Sequence, residues 1–344
     1  MGLRLAFAGF RHGHILTLYR RALEHEAVEV VAACEEDDDA AKEVTAGDNG
    51  VELTHRDFGQ MMSDVACDAV AVGDYYGRRG SLILSALEQG KHVISDKPLC
   101  TGRGEVDRIE ALALARGLKV GCMLTMRDSR PMLGLRQLLR AGTLGEVHAI
   151  TFGGQHPLRP DSRPHWYFEE GKHGGTINDI GIHALDAIPW MTGLRVKRIE
   201  AARCWNAFAD HAPHFQDGAQ LMLTLDNGCG VLGDVSYFAP DAAGDNLPLY
   251  WRVTVWGRKG VAEISNSARE IRLALNTDHE LRSAPLPPEK AGGYLESFLR
   301  DIAGEAPGDG ELDTKAVLAS ARLALEVQKA ADEGRTLVDL DVGP

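Results

Sequence analysis

The sequence lacks the long apolar run that a membrane span requires. None of its 344 residues lie in an apolar stretch approaching ~20 residues. The apolar stretch at the N-terminus is too short for a secretory leader and runs into Arg11 and His12. The six cysteines are scattered without a CxxC pair, which is typical of reduced thiols in a cytoplasmic protein. We therefore expect a cytoplasmic protein with no membrane partner.

Positive charge is also scarce. The formal net charge is −13, which argues against nucleic acid as a partner. The histidine pairs at 12 and 14 and at 211 and 214 have no carboxylate or cysteine at a recognisable metal-ligand spacing, so we expect no metal. The remaining composition, 44% hydrophobic and 25% charged, is ordinary for a globular protein. A chain of this length predicts two domains.

Strands and helices alternate over the first part of the chain, which we assign as a domain of residues 1–123. Buried strands are predicted at 3–9, 28–34, 66–73, 92–95 and 118–124, with a short one at 51–53. The helices predicted at 81–89 and 105–116 are each followed by a glycine, as helix ends often are. Such alternation indicates an α/β fold with a doubly wound parallel sheet.

The pattern changes in residues 124–344, where several strands follow one another. Strands are predicted at 198–205, 219–225, 230–237, 250–256 and 261–264, and amphipathic helices at 294–303 and 313–333. The turn Asp226-Asn227-Gly228 is typical of a β-hairpin. This part is predicted to be an α+β domain with a large, mainly antiparallel sheet.

The segment GGTINDIGIHALD, residues 174–186, carries the clearest chemical signal. Asp179, His183 and Asp186 stand at helical spacing, so a helix would place them on one face. His183 can act as a general base that a carboxylate orients. The alternative is a buried structural histidine whose hydrogen bonds are satisfied within the core.

The first strand-to-helix turn reads AGFRHGHI and has no complete GxGxxG. A helix N-terminus can still bind a pyrophosphate through backbone N–H groups, with room at Gly9 and Gly13 and added charge from Arg11. Glu35, 22 residues beyond Gly13, is placed to accept hydrogen bonds from ribose hydroxyls. Because acids follow it and no Arg or Lys occurs from 34 to 41, we favour NAD over NADP. The alternative is a simple turn, with Asp37–Asp39 starting a helix.

Two motifs and three shorter ones resemble those of a known family. The family is that of glucose–fructose oxidoreductase, inositol dehydrogenase and rhizopine catabolism proteins (Gfo/Idh/MocA). Its two longest motifs resemble GKHVISDKPL (90–99) and GGTINDIGIHALD (174–186) of this chain. Three shorter motifs of the family resemble LGEV (144–147), VWGRKG (255–260) and GRT (334–336). The resemblance implies an N-terminal Rossmann domain and a C-terminal domain whose open sheet often forms a dimer or tetramer. It also implies an NAD(P)-dependent dehydrogenase of sugars, polyols or related compounds.

The resemblance assigns roles to residues. Lys97, Asp179 and His183 match the catalytic positions, whereas Asp186 is expected to be structural. Asp96 replaces the family's glutamate, and Asp74, Tyr75 and Arg79 stand where the family carries T-P-N-x-x-H. The expected cofactor contacts are Gly9, Phe10, Arg11, His12, Gly13, Glu35, Asp74, Tyr75, Arg79, Asp96 and Lys97. The expected substrate contacts are Lys97, Arg127, Trp166, Tyr167, Asp179 and His183, with Arg163 and His165 on the same segments.

Three functions remain open at this point. The first is oxidation of a secondary alcohol by NAD, with His183 taking the hydroxyl proton and Lys97 stabilising the alkoxide. The second returns the hydride to the substrate and gives glycoside cleavage or epimerisation without net redox change. The third is a non-catalytic dinucleotide-binding protein on the same fold.

Overall fold

The first domain is a parallel sheet of five strands. The computed structural model describes residues 2–46, 50–243, 247–288, 293–308 and 310–340. Its first sheet has the order β2-β1-β3-β4-β5, and all of its pairs are parallel. The strands are β1 (Leu3–Ala8), β2 (Val28–Cys34), β3 (Ala69–Val72), β4 (His92–Ser95) and β5 (Val120–Cys122). The predicted doubly wound sheet is confirmed, and its strand order reverses between β1 and β3, where such sheets bind ligands.

Five helices connect these strands. They are α1 (Ile15–Glu24), α2 (Asp38–Thr45), α3 (Phe58–Asp64), α4 (Tyr76–Glu88) and α5 (Arg103–Arg116). Asp37 caps α2 by accepting a hydrogen bond from the N–H of Ala40, so the acids that follow Glu36 start a helix. The strand predicted at 51–53 is wrong: these residues form no strand, and a single parallel bridge to Cys34 follows them at His55.

The second domain is built on a sheet of nine strands, in the order β13-β12-β11-β10-β6-β9-β8-β7-β14. Its strands are β6 (Val147–Pro157), β7 (Val196–Trp205), β8 (Gly218–Leu225), β9 (Gly230–Ala239), β10 (Arg252–Gly257), β11 (Gly260–Ile264), β12 (Glu270–Leu275), β13 (Arg282–Pro285) and β14 (Val338–Asp339). Only the β6–β9 pair is parallel among the pairs described. The mainly antiparallel sheet predicted from the sequence is confirmed, although β12 and β13 were not predicted.

The helices of the second part pack against both sheets. They are α6 (Arg130–Arg140), α7 (Ile182–Thr192), α8 (Tyr294–Ile302) and α9 (Thr314–Asp332). Both α8 and α9 contact β5 of the first sheet, and α9 also contacts α7 and β7. The two sheets are therefore joined by shared helices, which hold the site between them. Within the described residues, no helix is long and apolar enough to cross a membrane.

Candidate active site

A buried ion pair joins the two domains. Lys97 follows the end of β4, and its Nζ lies 2.5 Å from Oδ1 and 3.1 Å from the backbone oxygen of Asp179. Both side chains are about 4% exposed. Lys97 and Asp179 come from segments 82 residues apart in sequence, so the predicted convergence of the two motifs is present in the fold.

The carboxylate of Asp179 accepts hydrogen bonds on both oxygens. Tyr76 donates to Oδ1 at 2.9 Å, and Tyr237 donates to Oδ2, which also lies 3.5 Å from Nε2 of His173. Burial opposes ionisation, but Lys97 and His173 together lower the pKa of Asp179 well below its ordinary value. Asp179 is therefore a stable anion that fixes the lysine, and it has little capacity left to bind a substrate hydroxyl.

The helix that carries His183 begins with a π-helical turn at Ile177–Gly181, a feature frequent at functional sites. The two acids of this segment have different partners: Asp179 binds Lys97, whereas Asp186 accepts hydrogen bonds from Arg127 and Ser320. Burial lowers the pKa of His183 well below its ordinary value, and Lys97 adds to this effect. His183 is therefore neutral at pH 7.

One ring nitrogen of His183 finds no hydrogen-bond partner in the described part of the chain. Its Nδ1 is buried and makes no hydrogen bond to any described residue. A buried polar atom without a partner is rare and costs free energy. The alternative of a structurally satisfied histidine is therefore not supported by the contacts that surround His183.

Asp96 holds a second set of buried groups beneath the first turn. It accepts hydrogen bonds from Nδ1 of His12 and, at 3.0 Å, from Nη2 of Arg79. Burial lowers the pKa of His12 to about 3, although Asp96 opposes the shift. Arg79 is fully buried, and its other donors bond the backbone oxygens of Asp74, Lys97 and Pro98. We therefore remove Arg79 from the expected cofactor contacts, because its donors fix the lysine segment.

The fold brings the carboxylate of Asp96 close to His12 and His14, a proximity that the sequence spacing did not indicate. Ligand atoms of His12, His14 and Asp96 lie within 4.8 Å of one another. However, Asp96 already carries the guanidinium of Arg79 and accepts the backbone N–H of Lys97 at 2.7 Å. A cation would have to displace these donors, so we assign no metal to this cluster.

The first turn retains donors for a dinucleotide. Gly9 has a φ of +83°, and a Cβ there would lie 2.8 Å from Asp74, so only glycine fits. Within the described residues, no acceptor takes the backbone N–H groups of Arg11, Gly13 and His14, which precede α1. A Cβ at Gly13 would meet no atom within 4 Å, so the approach to this turn is open. These residues fit a pyrophosphate at the helix N-terminus.

Glu35 lies beside this turn, directly after the end of β2. Its carboxylate accepts the N–H of Phe10 at 2.6 Å and the N–H of Asp37 at 2.9 Å, and it is buried. The ring of Phe10 packs against the core, so only its backbone faces the turn. Arg11 lies 3.4 Å from Asp37. A ribose hydroxyl at Glu35 would share oxygens that already bind backbone groups.

Arg78, on α4, brings a positive charge to the acids that follow β2, and the sequence analysis did not predict this contact. Arg78 pairs with Glu36 and lies 3.5 Å from Asp74, which follows the end of β3. Asp74 is buried and binds the N–H of Tyr75, whose ring lies under Arg11 at 5.7 Å. The absence of basic residues from 34 to 41 thus does not describe the charge of the folded site.

The expected substrate residues lie in two different places. Arg127 makes a bidentate pair with Asp186, at 2.6 and 2.9 Å, away from Lys97. We therefore remove Arg127 from the expected substrate contacts. Trp166 and Tyr167 lie in a 3-10 helix at His165–Phe168 and are both buried. Trp166 donates to the backbone oxygen of Arg11 at 3.0 Å, which closes the second domain onto the first turn.

Four side chains of the site were missed by the sequence analysis. Tyr76 bonds Asp179 and also Tyr167 at 2.7 Å, and Tyr237 lies near the end of β9. His173 donates from Nε2 to the hydroxyl oxygen of Tyr237 at 2.9 Å, because the hydroxyl hydrogen of Tyr237 goes to Asp179. His156, near the end of β6, is packed beside Trp251, as is His183. Position near a strand end could have indicated His156 and Tyr237, but not Tyr76 or His173.

Comparison with known proteins agrees with this architecture. Residues 3–124 match the model of the oxidoreductase family with an NAD-binding Rossmann fold, and residues 132–263 match the GFO/IDH/MocA C-terminal domain. The chain is 24% identical over 309 residues to myo-inositol 2-dehydrogenase of Thermotoga maritima, covering 84% of each.

Two solved structures share the fold. An oxidoreductase structure from Thermotoga maritima superposes with a TM-score of 0.82 at 22% identity, covering 98% of this chain and 100% of that one. An inositol dehydrogenase homologue from Azotobacter vinelandii, complexed with NADH and myo-inositol, gives 0.78 at 20% identity, covering 99% and 98%. The two family models together span most of the sequence. The chain belongs to the GFO/IDH/MocA family and is an NAD-binding oxidoreductase.

Proposed function

We propose that this protein oxidises a secondary alcohol of a sugar, polyol or cyclitol with NAD. The observation that carries the proposal is the buried Lys97–Asp179 pair beside His183, whose Nδ1 has no partner among the described residues. An ammonium and a neutral imidazole in one buried place suit removal of a hydroxyl proton. The relationship to a myo-inositol 2-dehydrogenase supports the substrate class.

His183 is the proposed base and Lys97 the proposed stabiliser of the alkoxide. His183 is neutral at pH 7, because burial lowers its pKa, so it can accept the hydroxyl proton. Lys97 uses two donors on Asp179, and an ammonium has three, so one N–H remains for the substrate oxygen. Tyr76 and Tyr237 keep Asp179 ionised, which in turn holds Lys97 in place.

The residues of the first turn would hold the dinucleotide. The free N–H groups of Arg11, Gly13 and His14 would bind its pyrophosphate, and Glu35 with Tyr75 would border its riboses. Bound nicotinamide supplies the hydride acceptor for this chemistry. Arg78 and Arg11 already pair with Glu36 and Asp37, so neither cation is left unpaired for a 2′-phosphate, and we propose NAD as the preferred cofactor.

The test is NADH formation by the purified protein with a panel of inositols, polyols and sugars. We expect Lys97→Met and His183→Asn to lose at least about 100-fold in rate. The matched controls are Lys259→Met and His279→Asn, both exposed and distant from the site, which should keep the wild-type rate.

Each outcome separates the functions. Equal rates in the wild type and the two site variants would refute the assigned roles. NAD that remains bound through purification, without net NADH formed on turnover, would favour a hydride-returning enzyme. Dinucleotide binding with no turnover of any compound in the panel would favour a binding protein.

We also propose that the chain forms a homo-oligomer through the open face of the large sheet. Met222, Leu232 and Leu249 line a broad depression on this face and are 45%, 54% and 58% exposed. Clustered exposed apolar side chains mark interaction surfaces. Leu232→Lys should yield a smaller species in light scattering, whereas Leu114→Lys, at an exposed position of α5, should not.

All six cysteines are free, which supports a reducing cytoplasmic compartment.

A further inference from the structure

Arg163 is a cation of the site for which the described residues supply no acidic partner. It follows β6, and its Nη2 and Nε donate to the backbone oxygens of Pro157 and Leu158 at 2.6 and 3.1 Å. Within the described part of the chain, no carboxylate lies within ion-pair distance of it. These carbonyl groups fix the guanidinium but supply no net charge, and no partner is found there for Nη1.

The guanidinium lies against the aromatic wall of the active site. It stands over the ring of Tyr167 at 4.9 Å and over the ring of Tyr237 at 5.4 Å. Tyr237 donates directly to Asp179, and Tyr167 reaches Asp179 through Tyr76. Arg163 is thus one side chain away from the Lys97–Asp179 pair.

The charges of Lys97 and Arg163 both act on His156. Burial lowers the pKa of His156 to about 3, and the two cations contribute to the shift. His156 is half-buried and contacts Tyr250 and Trp251, and Trp251 also contacts His183. His156 is therefore linked through Trp251 to the proposed base.

The charges of the site do not cancel. Asp179 balances Lys97, and Asp96 balances Arg79, while burial keeps His12, His156 and His183 neutral at pH 7. Arg163 is the cation of this group for which no described carboxylate supplies a balancing charge. A half-buried cation without a counter-ion loses hydration without full compensation, and a ligand carboxylate would match its planar donors. A single excess charge matches a carboxylate better than a doubly charged phosphate.

We propose that the substrate carries a carboxylate that Arg163 binds, so that it is a sugar acid or related hydroxy acid rather than a neutral polyol. This inference rests on the proposed function, because it places the alcohol carbon at Lys97 and His183. The carboxylate would bind on the Tyr167 and Tyr237 side of the cleft, with His156 between the two ends of the substrate.

The test compares matched compounds, namely D-glucuronate with D-glucose and D-galacturonate with D-galactose, with glucose 6-phosphate as a further arm. In the wild type we expect kcat/KM for the acids to exceed that for the neutral sugars by at least about tenfold. Arg163→Gln should lower kcat/KM for the acids about 10- to 100-fold, mainly through KM, since it removes a charge-assisted hydrogen bond. Its rate with neutral sugars should change less than about threefold, because they lack the charged group.

Two variants keep this test decisive. Arg163→Lys should recover part of the preference, and Arg159→Gln, at an exposed arginine of the same loop, should leave it unchanged. Binding is also read without turnover: glucuronate should raise the melting temperature of the wild type and Arg159→Gln but not that of Arg163→Gln. If Arg163→Gln does not fold, two results decide whether the substrate carries a carboxylate: the preference of the wild type for acids over neutral sugars, and the part of that preference kept by Arg163→Lys.

The failures of the two proposals are distinguishable. One outcome is NADH formed equally well from neutral sugars and acids, with no effect of the Arg163 variants on the ratio of their kcat/KM values. That result overturns the proposal of a carboxylate on the substrate and leaves the proposed dehydrogenase activity standing. A preference for glucose 6-phosphate that depends on Arg163 also overturns it. No NADH from any compound, with no thermal shift by any acid, overturns both.

Discussion

Asp179→Asn should destabilise the protein far more than the loss of an ordinary ion pair. Lys97 and Asp179 are each about 4% exposed, and they lie 2.5 Å apart. Removing one partner leaves a buried ammonium without its counter-ion, which costs about 3–5 kcal/mol. The two tyrosine donors of Asp179 then also face a weaker, neutral acceptor. The free energy of unfolding should fall by that amount at neutral pH.

Equilibrium unfolding in urea, followed by circular dichroism, measures this loss. The matched control is Asp68→Asn, which removes the partner of Arg4 in a pair whose side chains are 38% and 43% exposed, and it should cost less than about 1 kcal/mol. The double variant Lys97→Met with Asp179→Asn removes both charges and should be more stable than Asp179→Asn alone. Equal stability of Asp179→Asn and the wild type would refute the argument.

Three further predictions concern His156, Tyr237 and the Glu36–Arg78 pair. In the folded protein His156 stays neutral down to about pH 3, whereas in the unfolded chain it takes up a proton near pH 6.5. Between these two values the unfolded chain binds one proton more than the folded protein. The free energy of unfolding therefore falls as the pH falls below about 6.5. His156→Asn should therefore flatten the decline of unfolding free energy between about pH 6.5 and 4 by up to about 1.4 kcal/mol per pH unit; an unchanged slope would contradict this. Tyr237→Phe removes a donor to Asp179 and should lower the rate of NADH formation about tenfold, and a wild-type rate would argue against the positioning role. Glu36→Gln frees Arg78 and should raise the NADP to NAD ratio of kcat/KM about tenfold; an unaltered ratio would show that the pair does not control cofactor choice.

The sheets could be predicted because their patterns are local. Apolar runs such as those of β1 and β3 are buried on both faces, and the helices between them carry their own end signals, including a left-handed glycine at Gly117 after α5. The edge strand β13 is short and has little apolar pattern, so it gave no signal. The strand β12 alternates the apolar residues Ile271 and Leu273 with exposed ones, which is a strand pattern that the sequence analysis missed. Residues 51–53 carry two apolar side chains but form no strand, and only His55, beyond them, bridges to Cys34.

The site could be predicted only in its motif residues. Lys97, Asp179 and His183 stand in recognisable segments, and the fold brings them together as expected. Tyr76 and Tyr237 come from distant segments that meet only in the folded protein, so no spacing indicates them. Arg79 and Arg127 are basic residues near motifs, but their buried carboxylate partners, Asp96 and Asp186, lie on other elements.

The central claim is that His183 removes the hydroxyl proton beside Lys97, and chemical rescue tests it most directly. The measurement is the rate of NADH formation by His183→Asn on the substrate oxidised fastest by the wild type, with and without added imidazole. The account predicts a rate at least about 100-fold below that of the wild type, restored in part by imidazole in a concentration-dependent manner. A His183→Asn rate equal to that of the wild type would contradict it.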